Sequence, residues 1–170
     1  EALKIKQIKD RVSKVQSFRK SSKRKATNKL ASIPYSFGEV RFKETESILV
    51  PQTGSERREY LPVGFFDYKF IISNAARVVY DAKPYLFGVL SSKMHIIWVK
   101  AISGRFKMDV QYSNSLSYNT FPIPLISKQR EDELTQFTLE IIDERLKHSE
   151  KTLAQLYDPD KMPEGLKEAH

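Results

Sequence analysis

The stretch FGVLSSKMHIIWVKAISGRFKMDVQYSNSLSYNTFPIP, residues 87–124, decides the fold that we expect for this chain. Its first part predicts an amphipathic helix, because apolar residues recur there at helical spacing, namely Leu90, Met94, Ile97 and Ala101. Gly104 is placed to end this helix. Residues 105–119 differ in kind, since they bring together side chains that donate, accept or stack, with little apolar periodicity to bury them. Such a surface is suited to contacting the edges of nucleic-acid bases.

Short extended segments precede this stretch, between Pro34 and Tyr80. Turn-forming sequence separates several β-prone runs, at residues 40–42, 48–50, 60–63, 70–72 and 78–80. This spacing predicts a small, mostly antiparallel sheet. Pro51 and Pro62 cannot donate to a ladder, so we expect their segments at a sheet edge or at a strand end.

Helices are predicted at both ends of the chain. Residues 1–20 carry one narrow apolar seam with lysine and arginine elsewhere, formed by Ile5, Ile8, Val12 and Val15. The basic run SSKRKATNK at residues 21–29 breaks this periodicity and predicts a flexible connector. Residues 127–156 predict the clearest helix, with Ser127 as its N-cap and an apolar face that includes Leu134, Phe137, Ile141 and Leu146.

These elements predict an α+β fold, in which a small, mostly antiparallel sheet has flanking helices, plus an N-terminal helix and a C-terminal helical extension. We expect residues 1–30 to form a basic helical spacer, residues 31–126 the main domain, and residues 127–170 the helical extension. A chain of 170 residues buries roughly two thirds of its unfolded surface, which is enough for one core. Both ends fall in helical sequence, which is typical of a fragment of a larger protein.

Composition argues against several classes of protein. The chain has no cysteine, which excludes disulfides and thiolate zinc sites, and its three histidines are scattered, at His95, His148 and His170. We therefore expect no metal. No apolar run approaches the ~18 residues of a membrane span, and the basic start lacks the apolar segment of a secretory signal. A cytoplasmic protein without a membrane partner follows.

The net charge of +8 is unevenly distributed. Residues 1–30 hold 11 Lys/Arg against 2 acids (+9), and residues 31–130 hold 13 against 8 (+5). Residues 131–170 hold 5 against 11 (−6). Only the first two parts favour a phosphate backbone, and charge alone indicates no more than nonspecific attraction.

A longer pattern runs through residues 90–122, which contain LSSKMHIIW, then GRFK and YSN, and finally YNTFP. This pattern resembles the target recognition domain of the MmeI-like (type IIL) restriction-modification methyltransferases, whose usual pattern is close to LxSSMHxxW…GRLKSDxRYSNxxxYNNFPWP. SERREYLPVGF at residues 55–65, SNAA at 73–76 and SEKTLAQLYDPDKMPEGLKEAH at 149–170 agree with that family. The resemblance therefore covers nearly all of the chain.

The resemblance implies that residues 31–126 are a target recognition domain, which selects a sequence in double-stranded DNA. It implies a parent protein, bacterial or archaeal, that uses S-adenosylmethionine to methylate adenine N6 and that in some members also carries a nuclease domain. The catalytic methyltransferase domain of the same chain is then a partner of this fragment. The fragment itself is expected to hold no cofactor and to catalyse neither reaction.

Residues that contact bases are implied by the same resemblance at three places, which are Gln52, Asn74 with Ala75, and Lys107, Asp109 and Gln111. Relatives often have arginine or another charged residue at the position of Gln52 and arginine at the position of Gln111, so the target sequence does not carry over. If residues 107–111 are extended, then Lys107, Asp109 and Gln111 point to one side. Lysine suits the two acceptors of guanine and aspartate suits the N4 amino group of cytosine, so this set predicts selection of a G·C pair. We refer to these six as the predicted base-contact residues.

Other cationic side chains are better suited to phosphates, which position the protein without specifying sequence. The predicted phosphate contacts are Arg57, Arg58, Arg77, Lys93, Lys100 and Arg105. Tyr112 and Tyr118 are equally open to stacking on DNA and to packing in the core.

Catalytic motifs are weak in this chain. An amino-group methyltransferase needs Asn/Asp-Pro-Pro-Tyr/Phe, but in Asn119-Thr120-Phe121-Pro122 the proline follows the aromatic residue. Asp67-Tyr68-Lys69 is the only fragment that hints at a nuclease centre, and His95 has no recognisable acid to orient it, so packing is its expected role. We predict no catalytic residue.

Two non-enzymatic alternatives to DNA recognition remain open. The apolar seam of residues 1–20 would serve a scaffolding or dimerisation module, with self-association through the N-terminal helix. A basic RNA-binding module would have the same charge, although no RNA motif or stacking platform is evident.

Overall fold

The computed structural model describes all 170 residues, which form two compact units, Glu1–Phe42 and Lys43–His170. The first unit is helical. After a short 3-10 turn, helix α1 spans Lys6–Lys20 and buries no side chain, and its apolar seam is exposed at Ile8, Val15 and Phe18. The predicted N-terminal helix is therefore present.

The basic connector that follows is more ordered than predicted. Helix α2 spans Lys25–Lys29, and a 3-10 turn continues to Ser32. Side chains tie this segment to α1, because the Arg19 guanidinium donates to the carbonyl oxygens of Leu30 (3.0 Å) and Ile33 (2.9 Å), and the Asn28 amide donates to Lys20 O (2.7 Å). The prediction of a flexible connector was wrong, since these side chain to backbone bonds compensate for its weak hydrophobic pattern.

The second unit contains two three-stranded antiparallel sheets. The first sheet has the order β3-β1-β4, with β1 at Ser47–Pro51, β3 at Gly64–Phe66 and β4 at Ala76–Tyr80. The second has the order β2-β6-β5, formed by β2 at Thr53–Gly54, β5 at Gly104–Phe106 and β6 at Asp109–Gln111. Because only Gln52 separates β1 from β2, the chain passes directly from one sheet to the other.

Several predicted extended runs are not strands. Residues 40–42 and 70–72 lie in loops, and the run predicted at residues 60–63 gives way to β3 at Gly64–Phe66. Leu61 and Val63 are nevertheless buried, so this run contributes to the core although it is not part of a ladder. The strand begins only after Pro62, because proline has no N–H to donate to a ladder.

The predicted helix at residues 90–103 is two helices, α3 at Pro84–Ser91 and α4 at Lys93–Ile102. Ser92 is extended and caps α4, since its side chain accepts from His95 N at 3.2 Å. The break changes which face is buried, and Met94 and Ile97 are 60% and 59% exposed. The predicted apolar face was therefore wrong beyond Leu90, because counting in steps of four does not continue across an extended residue.

Three helices complete the C-terminal extension, which are α5 at Lys128–Leu146, α6 at Leu153–Leu156 and α7 at Glu164–Ala169. The Ser127 side chain accepts from Arg130 N at 3.3 Å, which confirms the predicted N-cap. Residues of this extension share one core with the strands and with α3, which includes Ile48, Val63, Phe87, Leu90, Ile141, Leu156 and Leu166. The α+β prediction is confirmed. No helix combines the length and the apolar character that crossing a membrane requires.

Candidate nucleic-acid interface

Gln52 and Gln111 lie beside each other where the two sheets meet. The register of β2 on β6 pairs Thr53 with Gln111, and the Gln111 amide donates to Thr53 Oγ1 at 3.0 Å. One residue further along, the Tyr112 N–H donates to the carbonyl oxygen of Gln52 at 2.7 Å. The crossing from β1 to β2 therefore brings together two predicted base-contact residues that are 59 positions apart in sequence.

Asn74 and Ala75 lie at the same edge, because the register of β4 on β1 pairs Ala76 with Pro51. Both are exposed, in the turn that leads into β4. The three segments that the sequence singled out thus converge at the junction of the sheets, around Gln52. We call this edge the polar rim, defined by Gln52, Asn74, Ala75, Asp109 and Gln111.

Lys107 stands apart from the other predicted base-contact residues. Phe106 pairs with Asp109, so Lys107 and Met108 form a two-residue hairpin turn, and Lys107 has a φ of 56°. Hairpins of this length require positive φ at the turn, which is unusual for a residue with a side chain. The expected extension of residues 107–111 therefore holds for Asp109 and Gln111, which share one face of β6, and fails for Lys107, which lies at the hairpin tip.

Four of the six predicted phosphate contacts already have partners within the chain. Arg57 pairs with Asp160 (2.8 Å), Lys93 pairs with Glu59 (2.9 Å), and Arg105 pairs with Glu56. The Arg58 guanidinium donates to Ala154 O at 3.3 Å. Exposed pairs of this kind contribute only about 0 to 1 kcal/mol, so they do not prevent these side chains from turning to a phosphate.

These ion pairs perturb the titration of their members. The hydrogen bond from Lys93 lowers the pKa of Glu59, and the same bond raises the pKa of Lys93. The hydrogen bond to Asp160 raises the pKa of Arg57. Arg77 and Lys100 are the two predicted phosphate contacts that take part in none of the ion pairs or hydrogen bonds described above.

Tyr112 and His95 form a buried pair behind the rim. His95 is fully buried and Tyr112 is 3% exposed, and His95 Nε2 lies 3.1 Å from the Tyr112 hydroxyl. Burial lowers the pKa of His95 to about 4 and raises the pKa of Tyr112, so both are neutral near pH 7. Phe121 packs edge-on against the imidazole, with 4.4 Å between ring centroids. This pair supports the rim from behind, and Tyr112 is core.

The region after β6 holds a feature that sequence analysis missed. An open cavity of about 320 Å³ lies between β4 and the π-helical turn Asn114–Tyr118. Its lining includes Arg77, Tyr80, Asn114, Tyr118 and Asn119. The signal in the sequence was the clustering of asparagine and tyrosine in YSNSLSYN, but nothing there indicated that β4 would form the opposite wall.

Asp67 and His95 take part in local structural contacts. Asp67 Oδ1 accepts from the Lys69 N–H at 2.9 Å, which is a local turn. The structure contains no group of three or more His, Asp or Glu side chains positioned to hold a metal ion. His95 contacts aromatic rings and a tyrosine hydroxyl, with no carboxylate among its ring contacts.

A packed core carrying a partly exposed polar edge that is built from three separated segments is typical of a recognition domain. Residues 1–125 match the family described as "MmeI, target recognition domain", and residues 126–170 match "MmeI, C-terminal domain". The chain therefore belongs to the MmeI family and contains its target recognition and C-terminal domains. The resemblance inferred from the sequence is confirmed.

Two relatives are much longer than this chain. DNA methyltransferase A of Bacillus subtilis (strain 168) is 46% identical over 163 residues, which is 96% of this chain and 18% of the relative. A solved structure of the type IIL restriction-modification enzyme MmeI in complex with DNA is 38% identical, with a TM-score of 0.90, and the match covers 96% of this chain and 22% of that one. The chain thus spans about a fifth of the length of these relatives.

Proposed function

We propose that this chain selects a specific sequence in double-stranded DNA for a DNA methyltransferase. The observation that carries the proposal is the polar rim, where Gln52, Asn74 and Gln111 meet although they are distant in sequence. The DNA complex of the related MmeI supports a duplex as the ligand. The positive charge of residues 1–130 supports it further, because Lys and Arg supply the sequence-independent part of DNA affinity.

The β5–β6 hairpin carries the predicted selection of a G·C pair. Asp109 on β6 would accept from the N4 amino group of a cytosine, and Lys107 at the tip would donate to O6 or N7 of the paired guanine. Each correct pairing of this kind is worth about 1 to 3 kcal/mol against the wrong base. Gln52, Asn74 and Gln111 would contact neighbouring base pairs, and Ala75 is small enough to allow close approach of a base.

The longer protein would supply the chemistry. We propose that its catalytic domain, in the same chain, binds S-adenosylmethionine and methylates adenine N6, and that a nuclease domain accompanies it in enzymes that also cleave DNA. The present chain would hold the duplex while that domain extrudes the adenine, an unstacking that costs a few kcal/mol. Residues 1–30 would act as a basic spacer, residues 31–126 as the recognition domain, and residues 127–170 as its helical extension.

Selection from a randomised duplex pool tests this proposal. The chain is incubated with the pool at low salt, and the retained duplexes are sequenced, alongside the double variant Lys107→Glu/Asp109→Arg. We expect the wild type to enrich a short motif and the variant to change one G·C position while leaving the others. Equal retention by both proteins without an enriched motif would contradict sequence recognition, and retention of an RNA pool alone would favour the RNA-binding alternative.

A second function, self-association, has one specific observation in its favour. Ile8, Val15 and Phe18 of α1 are exposed on a helix that buries nothing within the chain. Such an unpartnered seam is typical of a helix that pairs with another. Measuring the mass in solution of the chain with and without residues 1–20 decides this, since loss of a dimer on truncation supports association and a monomer in both cases contradicts it.

A further inference from the structure

The open cavity beside the polar rim is lined by an arginine that has no acidic partner. Arg77 is the second residue of β4, lies opposite Val50 of β1, and lines the cavity. The Nε of Arg77 is buried and has no hydrogen-bond partner. A buried donor without a partner is costly, about 1 to 3 kcal/mol, and is rare in folded proteins. The fold therefore leaves the guanidinium of Arg77 only partly satisfied.

The other polar lining residues are lysine, asparagine and tyrosine, and no lining residue is acidic. Asn119 N–H donates to Asn114 O at 2.9 Å, which ties the two residues together through their backbones and leaves both side-chain amides toward the solvent. Tyr118 is half-buried, and burial raises its pKa, so its hydroxyl stays protonated and is able to donate. Lys43 also lines the cavity, but it is paired with Asp81 at 3.0 Å. Arg77 is thus the one cation there without an acidic partner.

An anion satisfies this arrangement best. The planar guanidinium of arginine matches the oxygens of a phosphate with two parallel hydrogen bonds, and asparagine and tyrosine are common donors to DNA phosphates. A volume of about 320 Å³ exceeds what a bare phosphate fills and accommodates the adjoining sugar as well. Val50, Val78 and Val79 also line the cavity and add apolar surface beside the polar groups.

The location of the cavity connects it to the predicted base contacts. Val50 in its lining lies two residues before Gln52, and Arg77 lies three residues after Asn74. Tyr112, also in the lining, directly follows Gln111. A DNA strand whose bases met the polar rim would therefore pass its backbone along this cavity.

We propose that the cavity formed by Arg77, Asn114, Tyr118 and Asn119 binds a single backbone phosphodiester of the duplex and thereby fixes the register of the polar rim on the DNA. This inference rests on the proposed function, since it assumes a duplex as ligand. Arg77 is a positioning residue in this account, because it touches the backbone and discriminates no base itself. A free phosphate or nucleotide has the same chemistry, so the experiment must separate it from the duplex.

The test combines protein variants with neutralised phosphates. Duplexes that carry the enriched motif are prepared with one methylphosphonate, which lacks the phosphate charge, at each backbone position in turn. We expect one position at which the wild type loses affinity about tenfold, as for a hydrogen bond between charged groups. Arg77→Ala should bind the unmodified duplex about tenfold more weakly and should show no further loss at that position.

Salt dependence provides a second readout that a merely structural role would not change. Loss of one phosphate contact should reduce the slope of log affinity against log salt by about one. The enriched motif itself should be unchanged in Arg77→Ala, because phosphate contacts carry no sequence information. Lys161→Ala is the matched control, since it removes the same charge from an exposed position remote from the cavity lining, and it should behave as the wild type.

A more conservative variant keeps the test valid if Arg77→Ala does not fold. Tyr118→Phe keeps the ring and removes only the hydroxyl, so it should keep the thermal stability of the wild type and weaken duplex binding about threefold at low salt. If Arg77→Ala and Tyr118→Phe bind like the wild type and remain sensitive to the same methylphosphonate, the phosphate site is refuted while sequence recognition stands. If the wild type enriches no motif but inorganic phosphate shifts the NMR resonances of Tyr118 and Asn119, the cavity binds a free anion, and both the duplex site and the proposed function are refuted.

Discussion

The C-terminal extension and the cavity beside the polar rim each contain an arginine, and the two arginines differ in their hydrogen bonding. In the extension, Arg145 donates to Val63 O at 2.8 Å and to the Tyr157 hydroxyl, and its guanidinium lies 4.9 Å from the ring centroids of Phe87 and Tyr157. At the cavity beside the rim, Arg77 has a buried nitrogen without a partner. One arginine is satisfied by the fold and the other is not. The difference shows which polar groups hold the chain together and which are available to a ligand.

The C-terminal network extends beyond Arg145. The Tyr157 hydroxyl lies 2.6 Å from His170 Nε2, and the His170 ring stacks on Tyr60 with 4.2 Å between centroids. These contacts join α5, the residue after α6 and the end of α7 to the segment before β3. The extension is therefore part of the same folded core as the strands, and the rim is built on that core.

The largest effect should follow from breaking this network. Arg145→Ala leaves the Val63 carbonyl and the Tyr157 hydroxyl without their donor and removes two cation–π contacts, so we expect a loss of about 3 kcal/mol in the free energy of unfolding. Urea denaturation measures it. Arg130→Ala is the control, because Arg130 is exposed on α5 and pairs only with Glu133, and it should lose under about 0.5 kcal/mol. Equal losses in the two variants would show that the Arg145 network contributes no more to stability than an exposed ion pair.

The buried His95 behind the rim predicts a pH dependence of stability. Burial holds its pKa at about 4 in the folded chain, while its ordinary value is 6.5. Because the unfolded state binds the proton more readily, stability is full above pH 6.5 and falls as the pH drops from 6.5 to 4. We expect His95 to account for about 1 to 2 kcal/mol of the loss between pH 7 and pH 5.

Denaturation of His95→Gln at both pH values measures this contribution. The variant should be less stable than the wild type at pH 7, but its stability should fall less between pH 7 and pH 5. His148→Gln is the matched control, because His148 lies outside the core, and it should keep the full pH dependence of the wild type. A wild-type fall shared in full by His95→Gln would show that His95 is not the group responsible.

Adding one methyl group at each of two glycines tests how tightly the core and the β5–β6 hairpin are packed. A Cβ on Gly88 would lie 2.8 Å from Thr138 Oγ1, which is held by hydrogen bonds to Pro84 O and Leu134 O. Nothing lies within 4 Å of a Cβ on Gly104 at the start of β5. We expect Gly88→Ala to lose about 1 to 2 kcal/mol by overpacking and Gly104→Ala to be neutral within about 0.5 kcal/mol, as measured by thermal unfolding.

A small effect on stability is expected at the hairpin tip. Lys107 has positive φ, a conformation that glycine adopts without strain, so Lys107→Gly should keep or slightly raise stability, by up to about 1 kcal/mol. The same change should remove the predicted guanine contact and relax selection at one G·C position. A variant that loses stability yet keeps its selected motif would show that Lys107 serves the fold and not the DNA.

Local signals in the sequence predicted much of this fold. The helical spacing of residues 1–20 and the Ser127 cap found α1 and α5, because both depend on near neighbours in the chain. Features that depend on contacts with other parts of the chain were missed, such as the extended Ser92 that separates α3 from α4. The strand at Gly64–Phe66 was displaced from its predicted position because pairing with β1, whose residues are 15 to 19 positions earlier in the chain, decides its limits.

Part of the candidate site was likewise predictable from the sequence, and part was not. Family resemblance pointed to Gln52, Asn74 and Gln111, and the registers of two ladders explain why these residues meet. The cavity beside them was not predictable, because one wall is the π-helical turn after β6 and the other is β4. No periodic pattern in the sequence connects these two separate segments of the chain.

Hydrogen exchange with and without the selected duplex tests the account most directly. The chain would be exchanged in D2O alone and with saturating duplex, and peptides covering residues 50–54, 73–80, 104–119 and 141–170 would be compared by mass spectrometry. We expect slower exchange on DNA at the first three ranges, which contain the rim and the cavity. Exchange should be unchanged at residues 141–170, where the polar groups are already satisfied. Protection confined to residues 141–170, with none at the rim, would contradict it.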